Sequence, residues 1–417
     1  MKQKVIIIGA GFGGIQLAGN LDEKLFDILL IDKLNHHQFQ PLFYQVAASQ
    51  IEPSSISFPL RYMFRHQENI QIRLAEVIRV NRDIKTISTT IGDFSYNILA
   101  LAMGCRTNFY GNKEIEKNTF TLKSTYDAIT IRNHILQTFE RVVSAKEEDK
   151  EALLNLVLVG AGPTGVELAG AFAEIKQHIL PHDYPKIDFS RFKITLVEGT
   201  RYTLNTMSES SRRASEKYLR KMGVDLVTET FVKNYDGEIL TLSSGAAIRT
   251  TTVIWAAGVT ANTIEGLPAE CVTAGNRIKV NRVNRVHGCE DIYAIGDICL
   301  METPLYPRGH PQVANVAINQ AKLLAKNLKA ILLNRKTREY EYRDLGSMAT
   351  VGRNKAVVDF RTVKIKGYFA WLIWMFLHLM LILSVKNKLI IFINWAWSYI
   401  TKNSSLRLIL IPQKREK

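Results

Sequence analysis

Apolar residues fall into two patterns along this chain. Short, nearly uninterrupted runs (VIII at 5–8, ILLI at 28–31, LVLV at 156–159, ITLV at 194–197) stop at a glycine or an acid. Runs of about four aliphatic and β-branched residues suit the strands of a parallel sheet that is covered on both faces and need not alternate. Longer stretches with apolar positions every three or four residues, such as HPQVANVAINQAKLLAKNLKAIL at 310–332, predict helices. Strand, loop and helix recur in this order near residue 5 and again near residue 155, and the charged segment SAKEEDKEA at 144–152 leads into the second copy. The pattern predicts an α/β fold with two Rossmann-like dinucleotide-binding domains, and 417 residues supply enough chain for two or three cores.

The loops that follow the first and third runs carry the chemistry. One reads GAGFGG, with Gly9, Gly11 and Gly14, and the other reads GAGPTG, with Gly160, Gly162 and Gly165. In this motif the first glycine makes a tight turn, the second lets backbone approach a pyrophosphate, and the third lets helix pack on strand. The pyrophosphate lies at the positive helix N-terminus. Each copy has an acid at the end of the next strand, Asp32 and Glu198, where a carboxylate accepts ribose hydroxyls. A carboxylate at Glu198 favours an unphosphorylated ribose, hence NADH over NADPH. Two further strands end in small residues, LALAMG at Gly104 and VIWAAGV at Gly258, which leaves room for a nucleotide to cross. In DIYAIGD a strand delivers Gly296 and Asp297, a carboxylate and amide suited to a polyhydroxyl chain such as flavin ribityl.

Charge and the C-terminal residues change the picture further. The formal charge is +15, yet residues 361–417 hold ten Lys or Arg and one acid, Glu416, so the basicity is local. The same tail holds Trp371, Trp374, Trp395 and Trp397 and two apolar blocks, at 369–385 and 389–400, the first interrupted by His378. Aromatics flanked by bases suit a bilayer interface, and blocks shorter than about 20 residues favour lying on the membrane over crossing it. The expected tail is therefore an amphipathic helical, monotopic anchor to the bilayer surface, with a homodimer left open. No nucleic acid is expected, because the bases lie in an apolar setting. The four cysteines show neither redox-pair nor metal-ligand spacing, so no metal is expected. The N-terminal apolar run is too short for a signal peptide, which implies a cytosolic body.

In the order GAGFGG, HHQFQPLFYQVA, TNFYG, GAGPTGVELAGAFAE, WAAGV, YAIGD, PQVANVAINQ and aromatic tail, the chain resembles a type II NADH:quinone oxidoreductase over nearly its whole length. The resemblance implies one non-covalent FAD, NADH as donor, a membrane quinone as acceptor, no proton pumping, and peripheral attachment at the cytoplasmic face of the inner membrane. It carries FAD contacts onto Gly9, Gly11, Gly14, Asp32, Gly296 and Asp297, and NADH contacts onto Gly160, Gly162, Gly165, Glu198 and Gly258. Glu167 matches the family's acid in the first turns of the nucleotide-binding helix, and Gln45, Asn315 and Gln320 are the polar groups expected beside flavin and quinone. Two departures stand out. Ala171 replaces a second acid that many members carry, with Glu174 one turn later, and ANVAINQ puts Asn315 and Asn319 where the family has glutamines. The implied domains are FAD-binding at 1–115 and 281–350, NADH-binding at 116–280 and membrane-anchoring at 351–417. Other readings are a sulfide:quinone reductase, a soluble NADH-dependent reductase of a protein partner, and an NADH-sensing flavoprotein.

Overall fold

The computed structural model describes residues 1–403 and 406–410; residues 404–405 and 411–417 of the expected anchoring region, Glu416 among them, lie outside the described residues. In chain order, the elements that position the site are β1 (Gln3–Ile8), α1 (Phe12–Asn20), β2 (Phe26–Asp32), α2 (Phe43–Ala47), β3 (Ile70–Leu74), β4 (Ile98–Leu101) and α3 (Thr125–Ser144). They continue with β5 (Asn155–Val159), α4 (Pro163–His178), β6 (Lys193–Val197), α5 (Glu209–Lys221), β7 (Val224–Val227), β8 (Thr252–Trp255), β9 (Ile292–Ala294) and α6 (Ala314–Leu332). The last are β10 (Ser347–Gly352), β11 (Lys355–Asp359), β12 (Lys364–Gly367), α7 (Tyr368–Leu381) and α8 (Val385–Thr401).

The chain forms two compact units. The first comprises Met1–Gln38, Phe58–Arg106 and Val259–Arg343. Its parallel sheet runs β9-β4-β1-β2-β3, with Ile6 opposite Leu29 and Leu99. Alternate residues of β1 enter different cores: Val5 and Ile7 pack with Leu17 of α1 and Leu324 of α6, and Ile6 and Ile8 pack with Leu99, Leu101 and Ile292. Both faces are covered, which is why the run VIII needed no polar alternation.

The second unit comprises Phe39–Ser57, Thr107–Gly258 and Asp344–Lys417. Its parallel sheet runs β7-β6-β5-β8, with Val157 opposite Thr195 and Val253. A three-stranded antiparallel sheet, β10-β11-β12, packs on α4 and α5. Contact with α4 is close because position 170 is glycine: a Cβ there would lie 1.8 Å from the Val351 carbonyl oxygen.

These units differ from the expected boundaries at several points, with residues 107–115 and 344–350 falling in the second unit. Residues 39–57 leave the first unit because α2 packs on α3 and α4. The first unit resumes at Val259 and not at 281, since Ile278–Val280 pairs in parallel with Cys299–Met301. The region after 351 is also more than an anchor, because its first residues complete the sheet that covers α4.

Candidate functional site

Both glycine loops have the same local geometry. Gly9 and Gly160 take φ of 101° and 99°, a region that L side chains avoid. A Cβ on Gly14 would lie 1.8 Å from the Gly9 carbonyl oxygen, and one on Gly165 would lie 1.9 Å from that of Gly160. These glycines let α1 and α4 start directly against the strand ends. At Gly11 and Gly162 a Cβ would meet nothing within 4 Å. Both are helix N-caps with no side-chain cap, so the first-turn N–H groups face open space that fits a phosphate. Each unit thus carries one cradle of the dinucleotide-binding kind.

The strand-end acids pin these loops. Asp32 accepts the Ala10 N–H at 2.6 Å on Oδ2 and the Leu34 N–H at 2.7 Å on Oδ1. Burial pushes its carboxyl up, and the backbone hydrogen bonds oppose that shift. Glu198 repeats the arrangement, accepting the Ala161 N–H at 2.6 Å and the Thr200 N–H at 2.8 Å. A carboxylate offers about four lone-pair directions, so each keeps acceptor capacity for a ribose.

In the first unit, Gly296 has φ of 73° and opens a single 3-10 turn. Asp297 accepts the Cys105 thiol at 3.1 Å through Oδ2, and its carbonyl accepts the Gln312 amide at 2.9 Å. Gln320 is fully buried, and its Oε1 accepts the Gly296 N–H at 2.8 Å and the Cys299 thiol at 3.3 Å. It therefore positions the turn through Oε1, and among the described residues its Nε2 has no hydrogen-bond partner. Asn315 accepts the Asn319 amide at 2.9 Å. Gly104 has φ of 66° and accepts the Asn262 N–H at 3.1 Å. His37 is buried and donates through Nδ1 to the Ala10 carbonyl at 2.9 Å; burial pushes it down to about 4, so it is neutral. In the second unit, Gly258 has φ of 77° and lies under Tyr110, whose hydroxyl would be 2.3 Å from an added Cβ.

Gln45 and Glu167 meet in a partly open pocket inside the second unit. Gln45 is fully engaged: Oε1 accepts the Trp395 indole N–H at 2.8 Å, and Nε2 donates to the Tyr44 hydroxyl at 2.9 Å. Glu167 lies in the second turn of α4 as expected, and its carboxyl points onto β10, where the Thr350 N–H donates at 3.4 Å. Burial pushes this carboxyl up to about 8; the Thr350 amide and the nearby Trp374 indole pull the other way, the indole without closing a hydrogen bond. At neutral pH it holds its proton. Glu174 accepts the Arg353 N–H and is also raised by burial. The outer wall comes from α7 and α8, through Trp371, Trp374, Met375, Trp395, Ser398 and Tyr399. His378 turns inward, donates to the Trp374 carbonyl at 2.8 Å, stacks on Trp374 at 4.0 Å and is pushed down to about 4. It adds no charge to its apolar helix.

Sequence reasoning did not single out Tyr44, Trp374, Trp395 and Arg353 as one cluster, since they come from four distant stretches. The signal that was available is the density of aromatic and amide residues in FYQ and INWAWSY.

Comparisons with known proteins extend this geometry. The family described as pyridine nucleotide-disulphide oxidoreductase matches residues 3–321, and the NDH2 C-terminal domain matches residues 345–402. The chain is 32% identical to the type II NADH:quinone oxidoreductase Ndh of Mycobacterium tuberculosis, over 96% of this chain and 89% of that protein. It is 28% identical to the type II NADH:quinone oxidoreductase of Staphylococcus aureus, over 85% of this chain and 89% of that one. Its fold is similar to that of NDH2 from Plasmodium falciparum, solved in complex with NADH, with a TM-score of 0.90, 21% identity and coverage of 99% of this chain and 100% of that one.

Proposed function

Because the chain belongs to the type II NADH:quinone oxidoreductases, an FAD-dependent family that passes electrons from NADH to a quinone, we propose that the pocket around Glu167 is where the quinone is reduced. A quinone ring is flat and apolar and becomes a hydroquinone only if its oxygens gain protons. The pocket offers aromatic walls and one buried carboxyl that is protonated at neutral pH. The placement of that carboxyl, buried in an aromatic-walled pocket beside the Gln45 amide, is the observation that carries the reading, and a general acid works best with a pKa near the working pH.

Each residue then has a stated task. The loop Gly160–Gly165 and Glu198 bind the adenosine end of NADH, and Asp32 with the loop Gly9–Gly14 holds FAD. The flavin, when bound, supplies the two-electron chemistry that links the two substrates. Trp374 and Trp395 supply flat apolar wall for the ring, Tyr44 and Trp395 lock the Gln45 amide in one orientation, and Glu167 holds the proton for the quinone oxygen.

The helices that wall the pocket also suit a bilayer surface. Phe369, Phe376, Leu389, Phe392, Ile393, Trp397 and Ile400 are each more than half exposed, and Lys386 and Lys388 lie in the first turn of α8. Among the described residues no helix is long and apolar enough to cross a membrane. Peripheral docking at the cytoplasmic face of the inner membrane would bring a lipid-dissolved quinone to this wall; a second copy of the chain is the competing occupant of the same face.

The test is quinone turnover by Glu167→Gln, which keeps the shape and removes the proton. A fall in kcat of about 100-fold is expected, within the usual range for loss of a general acid. Unchanged turnover from pH 6 to 9 would remove Glu167 from the reaction.

A further inference from the structure

Reduction of a quinone by NADH takes up one proton from water: NADH + H⁺ + quinone gives NAD⁺ + hydroquinone. NADH supplies two electrons and one proton, so the second proton must enter from solvent at each turnover. If Glu167 donates it, Glu167 must be recharged, yet it is almost wholly buried. The same face of α4 offers a route. Ala171 and Glu174 follow Glu167 at helical spacing, and all three line the pocket. Glu174 is enclosed by protein and still keeps part of its surface open to solvent.

We propose that Glu174 is the solvent-side station of a two-carboxyl relay: it takes a proton from water and passes it along pocket water, past the Ala171 methyl, to Glu167. This rests on the assignment of Glu167 as donor. Seven residues of helix separate the two carboxyls by about 10 Å, too far for direct transfer. A gap of that length suits a few waters, and the pocket that all three residues line is open on one side to solvent. The charged and titratable groups around Glu174 are Arg353 and Lys355 of the β10–β11 hairpin, Tyr44 of α2, and Glu167 and His178 of α4. The two cations favour release of its proton, and burial favours retention, so the group can load and unload.

The FAD-loaded protein is assayed with a short-chain benzoquinone. Glu174→Gln keeps an acceptor for the Arg353 N–H and should fold normally. Its kcat should fall about tenfold at pH 8 and less at pH 6, where protons are plentiful, and small acids such as formate or imidazole should restore most of it. Flavin reduction by NADH in anaerobic stopped flow should not share the loss. Ala171→Val, which keeps both carboxyls and fills the gap, should give the same pH-dependent loss and decides the matter if the first variant is unstable. A loss equal at every pH and without rescue would assign Glu174 to holding the hairpin, and full activity in either variant would also overturn the relay. If Glu167→Gln is impaired while Glu174→Gln is not, the relay alone fails. If both are fully active, the pocket assignment fails with it.

Discussion

Glu167→Gln should change how stability depends on pH, independently of any assay of turnover. The carboxyl titrates near 4.5 in the unfolded chain and at about 8 when folded, because burial disfavours its charged form. Below pH 4.5 both states carry the proton, and the group's favourable contribution is fully present. Between about 4.5 and 8 the unfolded chain has lost the proton that the folded chain keeps. Stability therefore falls as pH rises, by about 1.4 kcal/mol per pH unit. Above 8 both states are ionised and the loss is complete, roughly 3–5 kcal/mol in all. Glutamine does not titrate, and groups such as His37 and His134, each pushed down to about 4 by burial, remain in both proteins and cancel in the difference. Denaturant unfolding of the FAD-loaded wild type and variant from pH 5 to 9 should show the variant gaining steadily on the wild type up to about pH 8. Parallel curves across that range would mean that Glu167 is ionised in the folded protein, which would remove the proton assigned to it.

Other expectations test the nucleotide cradles and the tail. Glu198→Gln removes a charge that repels a 2′-phosphate and should lower the preference for NADH over NADPH about tenfold; an unchanged ratio would take Glu198 out of the ribose site. Gly162→Ala is compatible with its φ of −69° and meets no neighbour, so the melting temperature should barely move while KM for NADH rises about tenfold or more. Gly165→Ala puts a methyl 1.9 Å from a backbone oxygen and should cost about 3 kcal/mol of stability or more, so equal behaviour of the two variants would contradict the cradle geometry. Deleting the chain from Phe369 should release it from membranes and abolish turnover with every quinone, long-chain or short, because Trp374 and Trp395 leave with the tail. Reduction of ferricyanide should survive, and retained short-chain quinone turnover would show that the tail only docks the protein.

Legibility in the sequence followed locality. The glycine loops were readable because strand, loop and helix are contiguous, and the structure gives them matched φ values and matched close approaches. Asp32 and Glu198 were readable from their distance to the loops, although sequence could not show that each would also bind the N–H of the loop alanine. The pocket was not readable, because it joins α2, α4, the β10–β11 hairpin and two C-terminal helices that are far apart in the chain. Glu167 shows why. Its motif lies beside a nucleotide loop, but helix periodicity turns its side chain onto β10. For Gln320 the sequence likewise could not show that its place on α6 points Oε1 at the Gly296 amide. The tail's composition pointed to a bilayer surface as an expectation, and nothing in it announced that buried Trp374 and Trp395 would wall a pocket.

The most direct test of the pocket is photo-cross-linking of the FAD-loaded protein with an azido-quinone, followed by peptide mass spectrometry. Adducts should fall on the peptides that carry Tyr44 and Gln45 and on those that carry Trp374, Met375 and Trp395, and a short-chain quinone in excess should suppress them. Adducts confined to peptides outside this set, with the pocket peptides unlabelled, would contradict the account.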